Sequence, residues 1–185
     1  MAQLTSFMQV SVDGCYADAT GDMSFAHRDD DESRAFMTEN AMGGGMLVFG
    51  RVTYEQMAQY WPTALAAENA PAAAASINAM PKVVFSRTLK QTTWQNSRVV
   101  KGELVREIRK LKAESKVGIA ILGSGSVVAA LARENLIDRY QLMIVPVVLG
   151  DGKRFLEGVE TRPRLTLEKS RTFRNGNVFV TYRGG

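Results

Sequence analysis

The sequence has almost none of the side chains that build disulfide bridges and transition-metal sites. Its 185 residues include one cysteine, Cys15, and one histidine, His27. One cysteine excludes an internal disulfide framework and a cysteine-built metal site, and no HExxH or CxxC spacing is present. A serine–histidine–aspartate triad would have to use His27, but the charged run HRDDDESR favours a solvated loop histidine. We therefore expect no metal site.

Long hydrophobic runs and dense blocks of one charge are also absent. No apolar run approaches the roughly 20 residues of a membrane-spanning helix, and no signal-peptide pattern opens the chain. The net charge of +4 suits an anionic ligand, but the basic residues are scattered. The densest basic run, VREIRKLKAESK, has the pattern of an amphipathic helix. We expect a cytoplasmic protein that binds neither membranes nor nucleic acids.

The length and composition are those of one globular domain. Hydrophobic residues make up 45% of the chain and charged residues 23%, which is close to ordinary usage in folded proteins. A chain of 185 residues can also bury a substantial core. We therefore expect a single domain over residues 1–185.

Short apolar runs alternate with helical patterns along the chain. Strands are predicted at residues 3–12, 46–49, 82–86, 117–122 and 139–150. Helices are predicted at residues 29–42, 52–61, 103–115 and 127–135. The alanine-rich stretch 64–80 is either a helix broken at Pro71 or a loop.

The C-terminal segment has the pattern of a β-hairpin. RLTLEKSRTF and NVFVTYR are strand-like, and the connection between them contains Asn175-Gly176, a dipeptide favoured in hairpin turns. Alternating strands and helices before this segment predict a mainly parallel sheet. The predicted fold class is therefore α/β with a C-terminal antiparallel hairpin.

Glycines, hydroxyls and guanidinium groups follow three of the predicted strands. They belong to Gly50-Arg51, to Ser86-Arg87 and to the turn at residues 123–126. The carboxyl ends of parallel strands meet at one sheet edge, where helix N-termini attract anions. The three strand ends together predict an anion site, although each one by itself is explained equally well by a turn or a helix cap.

The turn in AILGSGSVVAALA links a strand to a helix. Its glycines allow a ligand to approach the backbone, and its hydroxyl and N–H groups can hold a pyrophosphate. The turn lacks the third glycine of the Rossmann fingerprint and the lysine of a P-loop. A helix N-cap with two glycines for packing is the alternative interpretation.

Several segments in order resemble one family. GRVTYEQM is similar to the GRxTxE segment of dihydrofolate reductases, VVFSRTL to the strand and turn that follow it, and ILGSGSVVAALARENLIDRYQLMIVPVVLGDGKRFLE to the segment near their C-terminus. QVSVDGCYAD is closer to the opening of the reductase domain of bifunctional riboflavin-synthesis deaminase–reductases. The resemblance covers nearly the whole chain and implies a dihydrofolate reductase-like three-layer fold.

The resemblance also implies an NADPH site at the three strand ends. Gly50, Arg51 and Thr53 would hold cofactor phosphates, and Ser86 and Arg87 would lie near the adenosine 2′-phosphate. The residues expected to wrap the pyrophosphate and nicotinamide side are Gly123, Ser124, Gly125, Ser126 and Val127.

The substrate side matches the family less closely. Dihydrofolate reductases carry a carboxylate and a phenylalanine one turn apart on the first helix, and Glu32 and Phe36 have this spacing, with Asp31 as a competitor for the carboxylate. The resemblance implies that Glu32 or Asp31 is the catalytic carboxylate that aids protonation and that Phe36 packs on the substrate. Asp13 and Tyr54 are candidate substrate contacts. A solvated helix start for the carboxylates, turn chemistry for Asp13 and core packing for Tyr54 are the alternatives.

The segment ATGDMSFAH lacks the Trp-Pro pattern of true dihydrofolate reductases, which argues against dihydrofolate as the substrate. Riboflavin-pathway reductases act on a substrate with a ribose phosphate, which Arg28 or Arg34 could meet if they are not simply solvated. We predict an NADPH-dependent reductase of a small heterocyclic or ribosyl-pyrimidine-like substrate. The alternative is a ligand-binding module without catalysis. The resemblance further implies a homodimer through the C-terminal strands.

Overall fold

The computed structural model describes residues 1–26, 31–41, 43 and 45–185. Its strands are Leu4–Ser11 (β1), Cys15–Ala17 (β2), Met46–Gly50 (β3), Lys82–Phe85 (β4), Ser97–Val100 (β5), Ile119–Leu122 (β6), Arg139–Val145 (β7), Lys153–Arg154 (β8), Leu165–Thr172 (β9) and Val178–Gly184 (β10). The helices are Asp31–Ala41 (α1), Arg51–Tyr60 (α2), Ala64–Asn69 (α3), Pro71–Ala79 (α4), Leu104–Glu114 (α5) and Gly125–Arg133 (α6).

Eight strands form one sheet in the order β5-β4-β3-β6-β1-β7-β10-β9. The neighbours from β5 to β7 pair in parallel, whereas β10 pairs antiparallel with both β7 and β9. The predicted fold class, a mainly parallel sheet with a C-terminal antiparallel hairpin, is confirmed. The short strands β2 and β8 pair separately and were not predicted, nor was β5.

Several element boundaries differ from those predicted. Strand β7 ends at Val145, directly before Pro146, because proline has no N–H to donate to a ladder. The alanine-rich stretch forms two helices, and Pro71 begins the second, where a missing N–H costs nothing. Residues 29, 30 and 42 of the predicted first helix, with His27 and Arg28, lie outside the described residues.

Helices cover both faces of the sheet and bury a core on each. On one face, Ile108 and Leu111 of α5 and Leu131 of α6 join the core cluster that contains Met8 and Ile121. On the other face there are two clusters. One contains Phe49, Tyr54, Ile77, Val84 and Trp94, and the other contains Phe7, Phe36, Met143, Phe173 and Phe179.

The described part of the chain has no helix that is both long and apolar enough to cross a membrane. Among the same residues, no group of three or more histidine, cysteine, aspartate and glutamate side chains is placed to hold a metal ion.

Candidate functional site

Two strand-to-helix junctions are joined by hydrogen bonds at the carboxyl edge of the sheet. The Gly50 N–H, where β3 meets α2, donates to Oγ of Ser124 at 2.8 Å. The Ser124 N–H, where β6 meets α6, donates to Oγ1 of Thr53 at 3.1 Å. Because β3 and β6 are adjacent parallel strands, both helices begin side by side at this edge.

The glycine-rich turn needs its glycines for two different reasons. Gly123 has φ of +60°, a left-handed conformation that glycine adopts without strain, and Ser124 follows at +58°. Gly125 is needed for space, because a Cβ atom there would lie 2.3 Å from Cε1 of Tyr16. The ring of Tyr16 therefore lies directly against the backbone of the turn.

The start of α6 offers unpaired backbone donors. The N–H of Val127 donates to the Ser124 carbonyl at 2.8 Å, so it is already used. The N–H groups of Gly125 and Ser126 belong to the first turn, which has no intrahelical acceptors. Together with the start of α2, this gives two positive helix ends at one place, an arrangement that suits an anion.

A groove of about 1610 Å³ runs from these junctions across the face of the sheet. Gly50, Thr53 and the turn residues 123–126 line it, as do residues of α1, α2 and α4. Several polar side chains on the sheet face form its floor, and they are Thr5, Gln9, Arg139 and Gln141. The groove is large enough for two ligands that meet edge to edge.

The residues predicted to bind cofactor phosphates outside the glycine-rich turn have different surroundings. Arg51 lines the groove but forms an ion pair with Glu55, with Nη1 and Oε2 2.7 Å apart. Ser86 accepts hydrogen bonds at Oγ from the N–H groups of Thr88 and Leu89, and Arg87 is exposed. Ser86 and Arg87 follow β4, on the far side of β3 from the glycine-rich turn, and do not line the groove.

The predicted catalytic carboxylates do not line the groove. Asp31 is exposed and pairs with Arg34, and Glu32 accepts a hydrogen bond from Nη2 of Arg171 at 3.0 Å. Phe36, the predicted substrate contact one turn later, packs on Phe179 with ring centroids 4.6 Å apart. The packing of Phe36 rotates α1 so that this face meets the β9–β10 hairpin. The geometry gives no support to the predicted roles of these three residues.

Tyr54 is a core residue rather than a groove residue. Its side chain is 2% exposed, and its hydroxyl accepts hydrogen bonds from the N–H groups of Thr93 and Trp94 at 3.1 and 3.0 Å. These bonds fix the segment before β5 against α2. The structure therefore favours the core interpretation over the predicted substrate contact.

Asp13 holds two loops together. Its carboxylate accepts hydrogen bonds from Oγ of Ser11 and from the N–H groups of Leu149 and Gly150. The bond from Ser11, followed by the two backbone bonds, lowers the pKa of Asp13 to about 2. Asp13 does not line the groove, and its acceptor sites are used inside the protein, which favours turn chemistry over substrate binding.

Some residues that line the groove were not predicted as site residues from the sequence. Tyr16, Asp22 and Lys153 line the end of the groove near the glycine-rich turn. The pairing of β2 with β8 brings Lys153 into this group, although it is more than 130 residues from Tyr16 in the chain. Only this long-range pairing, which the sequence did not predict, identifies these residues as neighbours.

Comparison with known proteins agrees with this architecture. Residues 2–179 match the family described as the RibD C-terminal domain, so the chain belongs to that family. Membership of this family supports a reductase-like role. The chain is also similar to the uncharacterized protein YyaP of Bacillus subtilis (strain 168), with 27% identity over 176 residues, 95% of this chain and 91% of that protein.

Solved structures share the fold. The chain matches a putative riboflavin biosynthesis protein from Shewanella sp. PV-4 with a TM-score of 0.74 and 23% identity, covering 100% of this chain and 99% of that one. It also matches the deaminase/5-amino-6-(5-phosphoribosylamino)uracil reductase from Thermotoga maritima, with a TM-score of 0.67 and 14% identity. This second match covers 100% of the present chain but only 57% of the Thermotoga protein.

Proposed function

We propose that this protein is an NADPH-dependent reductase in riboflavin biosynthesis. It would transfer a hydride to a C=N or C=O bond of a small heterocyclic substrate of the ribosyl- or ribityl-pyrimidine kind. The observation that carries the proposal is the joined pair of junctions, in which Gly50, Thr53 and Ser124 bring two helix N-termini to one end of the groove.

The residues present fit a dinucleotide phosphate. The unpaired N–H groups of Gly125 and Ser126 and the hydroxyl of Ser126 would bind the pyrophosphate. Arg51 would add charge beside it, and Ser86 and Arg87, farther along the same edge, would meet the 2′-phosphate. NADPH supplies the hydride when bound, and the protein binds and orients it and excludes water.

The test is titration of the purified protein with NADPH and with NADH, followed by tryptophan fluorescence and by thermal shift. Trp61 lines the groove and serves as a reporter. Arg87→Ala should weaken NADPH binding about 10- to 100-fold, the size expected for one charged hydrogen bond, and leave NADH binding unchanged. Arg106→Ala on the exposed side of α5 is the charge-matched control. Absence of NADPH binding by the wild type would refute the proposal.

A binding module without catalysis is the second candidate. It is favoured by the shortage of carboxylates in the groove. Among the described residues that line the groove, Asp22 is the one acidic side chain, and it accepts hydrogen bonds from Ser24. A binding module would bind NADPH but would not oxidise it. Loss of absorbance at the NADPH band with 5-amino-6-(5-phosphoribosylamino)uracil as substrate separates the two candidates.

The assembly is proposed to be a homodimer through β9. This strand is an edge of the sheet, and all eight of its residues are exposed, including Leu167 at 54%. A long exposed edge strand is a template for pairing with a second copy. Light scattering should find a dimer in the wild type and a monomer in Leu167→Lys. Val148→Lys, in an exposed loop, is the control.

A further inference from the structure

Tyr16 lies at the point where the glycine-rich turn meets the groove. Its ring packs so closely on Gly125 that a Cβ atom there would lie 2.5 Å from Cζ and 2.8 Å from the hydroxyl oxygen. Tyr16 also lines the groove. A ligand held by the turn at residues 123–126 would therefore contact this side chain.

The hydroxyl of Tyr16 is free to bind a ligand. The side chain is half-buried, yet its hydroxyl has no hydrogen-bond partner in the described part of the chain. Tyr54, by contrast, uses its hydroxyl to bind two backbone N–H groups. The Tyr16 hydroxyl lies at the wall of the groove and is accessible there, so it is available to donate a hydrogen bond to a bound ligand.

The other acidic groups near the turn are less suitable as proton donors. Asp22 already accepts hydrogen bonds from Ser24, and Asp31 and Glu32 lie outside the groove. Lys153 is exposed and extends towards Gly21, where a Cβ atom would lie 2.9 Å from Nζ. Among the groove residues that the structure describes, Tyr16 is therefore the donor in direct contact with the turn.

We propose that the Tyr16 hydroxyl donates the proton that completes the reduction, an inference that rests on the proposed function. A C–H bond forms at the carbon of the substrate's C=N or C=O bond with the hydride that NADPH supplies. The π electron pair moves to the nitrogen or oxygen atom, which takes the proton from Tyr16. The tyrosinate then takes a proton from water, so one NADPH and one proton are consumed for each product.

The surroundings keep this hydroxyl protonated. Burial, and to a smaller extent the negative charge of Glu157, raises the pKa of Tyr16 above its ordinary value. Arg51, which pairs with Glu55, and Asp22 and Lys153 are the other charged groups at this end of the groove. A phenol of raised pKa is still a stronger acid than the alcohol or amine that forms when the substrate's alkoxide or nitrogen anion is protonated, so proton transfer to the substrate is downhill.

The test compares Tyr16→Phe with Tyr182→Phe, which removes a hydroxyl from β10, a strand that does not line the groove. NADPH affinity is measured by fluorescence. Single-turnover oxidation of NADPH is measured across pH with 5-amino-6-(5-phosphoribosylamino)uracil. Tyr16→Phe should bind NADPH within about threefold of wild type but react about 10²- to 10⁴-fold more slowly, the usual contribution of a general acid. It should also lose the alkaline decline in rate that ionisation of Tyr16 causes in the wild type.

A second test measures the ionisation of the tyrosine phenol by ultraviolet difference spectroscopy and needs no substrate. NADP⁺ should shift the pKa of one tyrosine in the wild type, because a bound nicotinamide covers the hydroxyl and changes its surroundings, and should have no such effect in Tyr16→Phe. An unchanged turnover rate in Tyr16→Phe, a loss of affinity alone, or no effect of NADP⁺ on the phenol overturns the proposal. If the wild type binds NADPH but does not turn over this substrate, the substrate assignment fails and the phenol titration decides on Tyr16. If the wild type does not bind NADPH, the proposed function itself fails.

Discussion

The glycine-rich turn and the two carboxylates at the start of α1 are both predicted for the candidate site, but of these only the glycine-rich turn lines the groove. Gly125 and Ser126 line it, whereas Glu32 binds Arg171 of β9. The position of the backbone at a strand-to-helix junction is set by the order of the strands in the sheet. The direction of a helix side chain also depends on the rotation of the helix, and the packing of Phe36 sets that rotation for α1.

The largest effect is expected for Gly125→Ala. The new Cβ atom would lie 2.3 Å from Cε1 of Tyr16, so the ring must move. We expect the free energy of unfolding to fall by about 1–3 kcal/mol, as in other overpacked sites. NADPH affinity should fall as well, because the new methyl group lies over the proposed pyrophosphate site. Chemical denaturation and NADPH titration measure the two effects.

The double variant Tyr16→Ala/Gly125→Ala is the control for this prediction. If the clash with the ring causes the loss of stability, removing the ring should recover part of it, and the two changes should be non-additive. Strict additivity would show that Gly125 is needed for another reason.

Ser124→Ala should lower stability by a similar amount but adds no methyl group over the proposed pyrophosphate site. The Ser124 hydroxyl accepts the Gly50 N–H at 2.8 Å, and its removal leaves that donor without a partner. We expect a loss of about 1–3 kcal/mol in the free energy of unfolding, measured by chemical denaturation. Ser126→Ala is the matched control two residues away. Ser126 is exposed, so its loss should change stability by less than about 0.5 kcal/mol while still weakening NADPH binding. Equal losses of stability in Ser124→Ala and Ser126→Ala would refute the interpretation that the Ser124 hydroxyl joins the two strand-to-helix junctions.

Asp13 should make the stability depend on pH in the acid range. Its folded pKa of about 2 is below the ordinary value of 3.8, so its contribution to stability is present above about pH 4 and is lost as the pH falls towards 2. Asp13→Asn should lower the melting temperature at neutral pH and flatten this acid decline. An acid decline of the same steepness in Asp13→Asn would assign it to other carboxylates.

The smallest effect is expected for Glu32→Gln. The Glu32–Arg171 pair is partly exposed, so its loss should cost at most about 1 kcal/mol. NADPH binding should be unchanged, and turnover should remain within about twofold if the carboxylate is not catalytic. A large loss of turnover at unchanged stability would return the acid role to α1 and would remove the contrast between the two regions.

The sequence by itself determined the longer strands and helices and the location of the junctions, but not β2, β5 or β8. Apolar runs followed by Gly50-Arg51 and by the turn at residues 123–126 are local patterns, and parallel strands place their carboxyl ends at one edge. The strand predicted at residues 139–150 is present, but it ends at Val145, directly before Pro146.

Only the tertiary structure decided which side chains reach the groove. Tyr54 and Phe36 are aromatic residues on helices, and the sequence does not show whether such residues face a ligand or the core. Lys153 comes beside the groove through the pairing of β8 with β2, between segments far apart in the chain. Short-range patterns specify backbone conformation, whereas the direction of a side chain depends on packing among segments that meet only in the folded protein.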